Sequence, residues 1–181
     1  EFVKEDTENP ELSVPTVEDA LNGAKDILAE RTSQDTNNRS AIHDLYMKEG
    51  MIKTKGIGDE EAAKTSTYQM YWDYSEPLNQ VKPHRILAIN RGENEEFLKV
   101  TVEVNEDEAI KILNNLFITE GSSSTDFCKE SVKDSFSRLI FPSLEREIRS
   151  NLTEKADEQA IKMFGSNLKP LLMQPPIKNK T

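Results

Sequence analysis

The chain has 181 residues, enough for one compact domain with a sizeable core that needs no covalent staple. Hydrophobic residues make up 35% and charged residues 31%, wetter than an average globular domain, and 33 acidic against 23 basic residues leave a net charge of −10, which opposes any module that coats a polyanion. One cysteine and two histidines exclude an internal disulfide and a four-ligand structural zinc site.

Glu1 to Pro15 carries five acidic residues, one lysine and two prolines, and reads as an acidic linker or cloning remnant. Thr16, with Asp19 three residues on, predicts a capped helix start. Val17, Ala20, Leu21, Ala24, Ile27 and Leu28 continue it at helical spacing to about Arg31. Thr32 to Asn37 is expected to be a loop, and a second helix through Ile42, Leu45 and Tyr46 should end at Gly50. Met51 to Ile57 permits a strand. Asp59-Glu60-Glu61 suits the positive end of a helix dipole, predicting a helix toward Met70. Aromatics follow at Tyr68, Tyr71, Trp72 and Tyr74; without basic residues between them, packing is the natural role rather than base stacking.

Ser75-Glu76-Pro77 and Lys82-Pro83 both read as helix starts, because proline fits a first turn. The helix from Pro83 should stop at Gly92. Leu98, Val100, Val102 and Val104 alternate with Lys99, Thr101 and Glu103, the pattern of a strand whose partner is expected at Met51 to Lys55. Asp107 to Ile118 predicts a further helix, and Gly121 to Ser124 a loop. From Val132 to Phe164 apolar residues recur at steps of three or four. Pro142 is expected to break this stripe, Thr153 to cap a later segment, and Pro170 to kink or end it. The expected fold is therefore mainly α, an elongated multi-helix array with one small two-stranded β ribbon.

The parts of an enzyme are missing from this pattern. Gly56-Ile57-Gly58 lacks the third glycine and the preceding hydrophobic strand of a phosphate loop. Cys128 sits at a helix start with no histidine placed beside it. The acidic triplets at 59–61 and 106–108 point in different directions on a helix, so no metal is expected there. Basic residues gather twice. Lys82, His84, Arg85 and Arg91 surround one short helix and form a candidate phosphate contact, in competition with ordinary pairing to Glu76, Glu93 or Glu95. Arg138, Arg146 and Arg149 alternate with Glu145 and Glu147, as a salt-bridged surface does. No apolar run approaches the roughly 18–20 residues of a membrane span, and no signal peptide is visible, so a cytoplasmic protein is expected.

Three stretches carry a resemblance: Tyr71-Trp72-Asp73-Tyr74-Ser75-Glu76-Pro77, the run from Pro83 to Glu93, and Asp134 to Arg149 continuing through Leu152-Thr153-Glu154-Lys155-Ala156 to Leu171-Leu172-Met173-Gln174-Pro175-Pro176. In order and content they resemble the Tex family of bacterial transcription accessory proteins, over about Val17 to the C-terminus. The resemblance implies a longer protein with a helical N-terminal region, a YqgF-type ribonuclease-H-like domain, helix-hairpin-helix units and a C-terminal OB-fold RNA-binding domain. It makes 16–174 the helical region and 175–181 the linker into a YqgF-type domain outside this chain. It brings no catalytic residue and no cofactor. The implied role is a non-catalytic scaffold whose nucleic-acid binding lies mainly elsewhere in the full protein. Its partners are then nucleic acid, the remaining domains of the same protein and the transcription machinery, with no membrane. The alternative is a protein-interaction module docking a transcription or translation partner. Tyr71, Trp72 and Tyr74, with the acidic N-terminus, are its candidate contacts, whereas Leu168, Leu171 and Leu172 are candidate contacts expected to be covered by the domain outside this chain.

Overall fold

The computed structural model describes Val14 and residues 16–58, 67–119, 121 and 124–174. The expected linkers at 1–15 (apart from Val14) and 175–181, and the helix expected from Asp59, fall outside the described residues up to position 66. Two units divide the chain: a helical unit of residues 1–50 and 104–145, and a sheet unit of 51–103 and 146–181. No helix among the described residues is long and apolar enough to cross a membrane.

In the helical unit, α1 (Val17–Gln34) starts at the predicted capping box. The Thr16 hydroxyl accepts from the Asp19 N–H at 3.1 Å, and the Asp19 carboxylate accepts from the Thr16 N–H at 3.2 Å. The expected loop after α1 shrinks to one residue. Asp35 caps α2 (Thr36–Glu49) by accepting from the Asn37 and Asn38 N–H groups, and the buried Asn38 side chain donates to the Thr32 carbonyl at 3.1 Å. These local bonds satisfy several of the free backbone groups at the two helix ends, so the chain turns from α1 into α2 without a longer loop. Gly50 ends α2 in an extended conformation, not the left-handed one of a terminal glycine.

Helices α4 (Glu106–Phe117) and α5 (Thr125–Asp134) complete the unit with a π-helical segment, Ser135–Ile140, that leads into α6 (Phe141–Leu172). Ile42, Tyr46, Ala109, Leu113, Val132, Phe136, Ile140 and Leu144 are buried. Ser135 ties the π segment to α1 by donating to the Ala29 carbonyl at 2.6 Å, with both residues fully buried. Pro142 does not break the stripe as expected. It sits in the first turn of α6 directly after the π segment, where the Phe141 N–H reaches back five residues to the Phe136 carbonyl. The wider turn accommodates the missing proline donor, and the helix continues.

In the sheet unit the expected two-stranded ribbon is a three-stranded antiparallel sheet in the order β2-β1-β3, formed by β1 (Met51–Gly56), β2 (Asp73–Pro77) and β3 (Leu98–Glu103). Ser75-Glu76-Pro77 is therefore an edge strand and not a helix start. Pro77 is tolerated because an edge strand has a side with no ladder to complete. A short 3-10 turn, Gln69–Tyr71, precedes β2. Ile52, Thr54, Leu98, Val100 and Val102 face inward, and the Thr54 hydroxyl donates to the Tyr71 carbonyl at 2.5 Å.

Helix α3 (Pro83–Asn94) runs through Gly92 instead of stopping there. Gly92 is a packing glycine: a Cβ on it would lie 2.6 Å from the Leu98 side chain. Thr153 lies inside α6, not at a cap. Its hydroxyl donates to the Arg149 carbonyl at 2.9 Å and accepts from the Asn90 amide at 2.8 Å. Pro170 also lies inside α6, which runs on to Leu172.

Candidate functional site

Lys82 occupies the N-cap of α3 with no side-chain cap bond, and Pro83 starts the helix. Residues seven apart return to one helix face, so His84 and Arg91, both exposed, lie on the same side about two turns apart. Arg85 is turned toward β2. Its guanidinium donates to the Glu76 carboxylate at 2.6 Å and to the Tyr74 hydroxyl at 3.1 Å, and lies 6.0 Å from the Tyr74 ring. Tyr74 also donates to Glu76. The structure thus places Lys82, His84 and Arg91 at the surface and Arg85 in an ion pair.

Burial works to raise the pKa of Glu76, but hydrogen bonds from Tyr74 and Arg85, with the Arg85 charge, outweigh it and hold the carboxyl below the ordinary value of 4.5. A depressed carboxylate stabilises the fold above its unfolded pKa and loses that contribution as pH falls through the folded value. The sheet unit should therefore lose stability below about pH 4.5. Glu76→Gln should flatten that acid limb in a pH series of thermal melts; an unchanged limb would show that another carboxylate controls it.

The aromatic candidates are largely used internally. Tyr71 is buried and meets Tyr74 edge-on at 5.4 Å, and the Trp72 indole lies against Gly56. Leu168, Leu171 and Leu172 are 36%, 62% and 74% exposed. With exposed Ile161 and Phe164 they fall within about 100° of arc, one apolar stripe on the last turns of α6.

The second arginine group is paired: Arg138 bonds Asp26 at 2.7 Å and Asp134 at 2.8 Å, and Arg149 bonds Glu93. Arg149, Asn90 and Thr153 border a groove of about 680 Å³ in the sheet unit, whose other lining includes Glu154, Asp157 and Glu158. Those carboxylates make it a poor seat for a phosphate. Among the described residues no three histidine, cysteine or carboxylate side chains are grouped to hold a metal.

One basic group escapes any reading of sequence windows. Lys53, Lys55 and Lys99 stand on the outer face of the sheet, the last more than forty positions from the others. Only strand register brings Lys55 opposite Lys99.

A family described as Tex central region-like matches residues 1–164. The chain is 44% identical over 172 residues to the uncharacterized protein YdcI of Bacillus subtilis, covering 94% of this chain and 24% of that protein. It is 32% identical over 184 residues to human S1 RNA-binding domain-containing protein 1, covering 92% and 18% respectively. With the transcriptional accessory protein Tex of Neisseria gonorrhoeae it shares 30% identity over 172 residues, covering 91% and 22%. The chain thus spans a quarter or less of the length of these relatives.

Proposed function

The chain belongs to the Tex family as a central region, and from that premise we propose that it is a non-catalytic helical scaffold within a longer transcription accessory protein, which binds nucleic acid mainly through modules outside these residues. The observation that carries this reading is the apolar stripe of Ile161, Phe164, Leu168, Leu171 and Leu172. Contiguous exposed apolar surface marks an interface, and in a protein several times longer the other modules are its natural cover. The name of the human relative, which cites S1 RNA-binding, and the acidic balance of this chain both favour locating the principal nucleic-acid contacts elsewhere.

The test uses the chain and the longer protein in parallel. Leu171→Ser with Leu172→Ser should change the stability of the chain alone by no more than about 0.5 kcal/mol, as surface substitutions do. In the longer protein the same pair should lower the melting temperature by several degrees. RNA binding by the chain alone should be at least 100-fold weaker than by the longer protein. Neutral substitutions in both settings, or equal RNA affinity, would reject the scaffold reading.

A further inference from the structure

We propose that the outer face of the three-stranded sheet is a contact for the phosphodiester backbone of nucleic acid, centred on Lys55 and Lys99. This rests on the reading that the longer protein handles nucleic acid, and adds a contact within the scaffold itself. Lys55 on the central strand is in register with Lys99 on β3. Side chains directly opposite in an antiparallel pair start about 5 Å apart, and like charges there destabilise the sheet.

The usual remedy is a neighbouring acid, and the one on β3 is already used: Glu103 bonds Lys53 at 2.6 Å. Asp73 lies across the ladder from Lys55, but among the described residues neither Lys55 nor Lys99 has an ion-pair partner. The two ammonium groups therefore repel each other in a chain of net charge −10 and call for an anion from outside.

The surroundings fit an anion bearing several oxygens. Lys53 is in register with Ser75 on one side and Thr101 on the other, and these hydroxyls border the same groove of about 410 Å³ as the three lysines. Asp73 and Glu103 line it too, but Glu103 is taken up by Lys53, which leaves two lysines against one carboxylate. Two lysines close together straddle a phosphate as mobile point charges, and hydroxyls donate to its remaining oxygens. Contacts of this kind position a backbone and read no sequence.

The experiment measures anisotropy of labelled single-stranded RNA and of duplex DNA with the chain over a salt series. Lys55→Gln with Lys99→Gln should weaken RNA binding at least tenfold. It should also reduce the slope of log affinity against log salt by about 1.4, at about 0.7 for each lost phosphate contact on a single strand. Lys129→Gln with Lys155→Gln, the same charge change at exposed helix positions, should leave both unaltered. Lys99→Glu separates folding from binding. It places an opposite charge beside Lys55, so the melting temperature should hold or rise while binding falls.

Retained affinity and slope in the double variant would overturn the proposal. So would loss confined to Lys82→Gln with Arg91→Gln, displacement of RNA by polyglutamate at equal charge, or absence of binding by the unaltered chain. None of these touches the scaffold reading, which fails separately if the chain binds RNA as tightly as the longer protein.

Discussion

Phe136→Ala should cost the helical unit about 3–5 kcal/mol, the range for emptying a buried phenylalanine site. Phe136 is 2% exposed and meets Phe141 edge to face at 6.0 Å. It projects from the π segment, which Ser135 anchors to α1, so its neighbours cannot collapse into the space without giving up that bond. A domain's whole stability is about 5–15 kcal/mol, so the variant should melt far below the parent or fail to fold at 37 °C. Phe136→Leu, which keeps most of the volume, should cost less than about 1.5 kcal/mol. Chemical denaturation of both variants checks this, and an alanine variant within 1 kcal/mol of the parent would remove Phe136 from the core.

Gly56→Ala should have the next largest effect. A Cβ at Gly56 would lie 2.0 Å from the Trp72 ring, well inside van der Waals contact, while the Gly56 N–H donates to the Trp72 carbonyl at 2.7 Å. Backbone and indole cannot both stay where they are. Trp72 is half-buried and can swing outward, so the expected cost is about 1–3 kcal/mol in lost packing and strain. Trp72 is the only tryptophan, so its emission should shift to the red in the same variant. Gly23→Ala is the counterpart: Gly23 is in α1 with nothing near its missing Cβ, and alanine there should stabilise by about 0.5–1 kcal/mol. Similar behaviour of the two variants would mean that the indole does not lie on Gly56.

Where local chemistry decides structure, the sequence was readable. The Thr16 and Asp19 pair marks the start of α1, and the alternation from Leu98 places β3, because each signal is complete within a few residues. Strand β2 was not readable. Asp73 to Pro77 is polar and ends in proline, and it becomes a strand only because β1 offers an unpaired edge. Gly92 misled for a related reason: a glycine that ends a helix and one that admits a leucine look alike until the leucine is in place. The same limit applied to the candidate contacts. Nothing in the Lys82 to Arg91 run distinguishes Arg85, which faces Glu76, from its exposed neighbours, and the Lys55 and Lys99 pair exists only through register.

The π segment before α6 also bears on which insertions and deletions the chain can accept. A π turn is an α-helix that has absorbed one extra residue without rotating the faces on either side. A one-residue deletion within 135–140 would keep Val132 and Leu144 on their present faces, whereas the same deletion between Leu144 and Ala156 would rotate everything beyond it by about 100°. The shortened segment would, however, bring the Pro142 ring against a carbonyl one turn earlier, a clash that alanine at 142 removes. The deletion and Pro142→Ala are therefore coupled: a lineage that loses the extra residue should lose the proline with it.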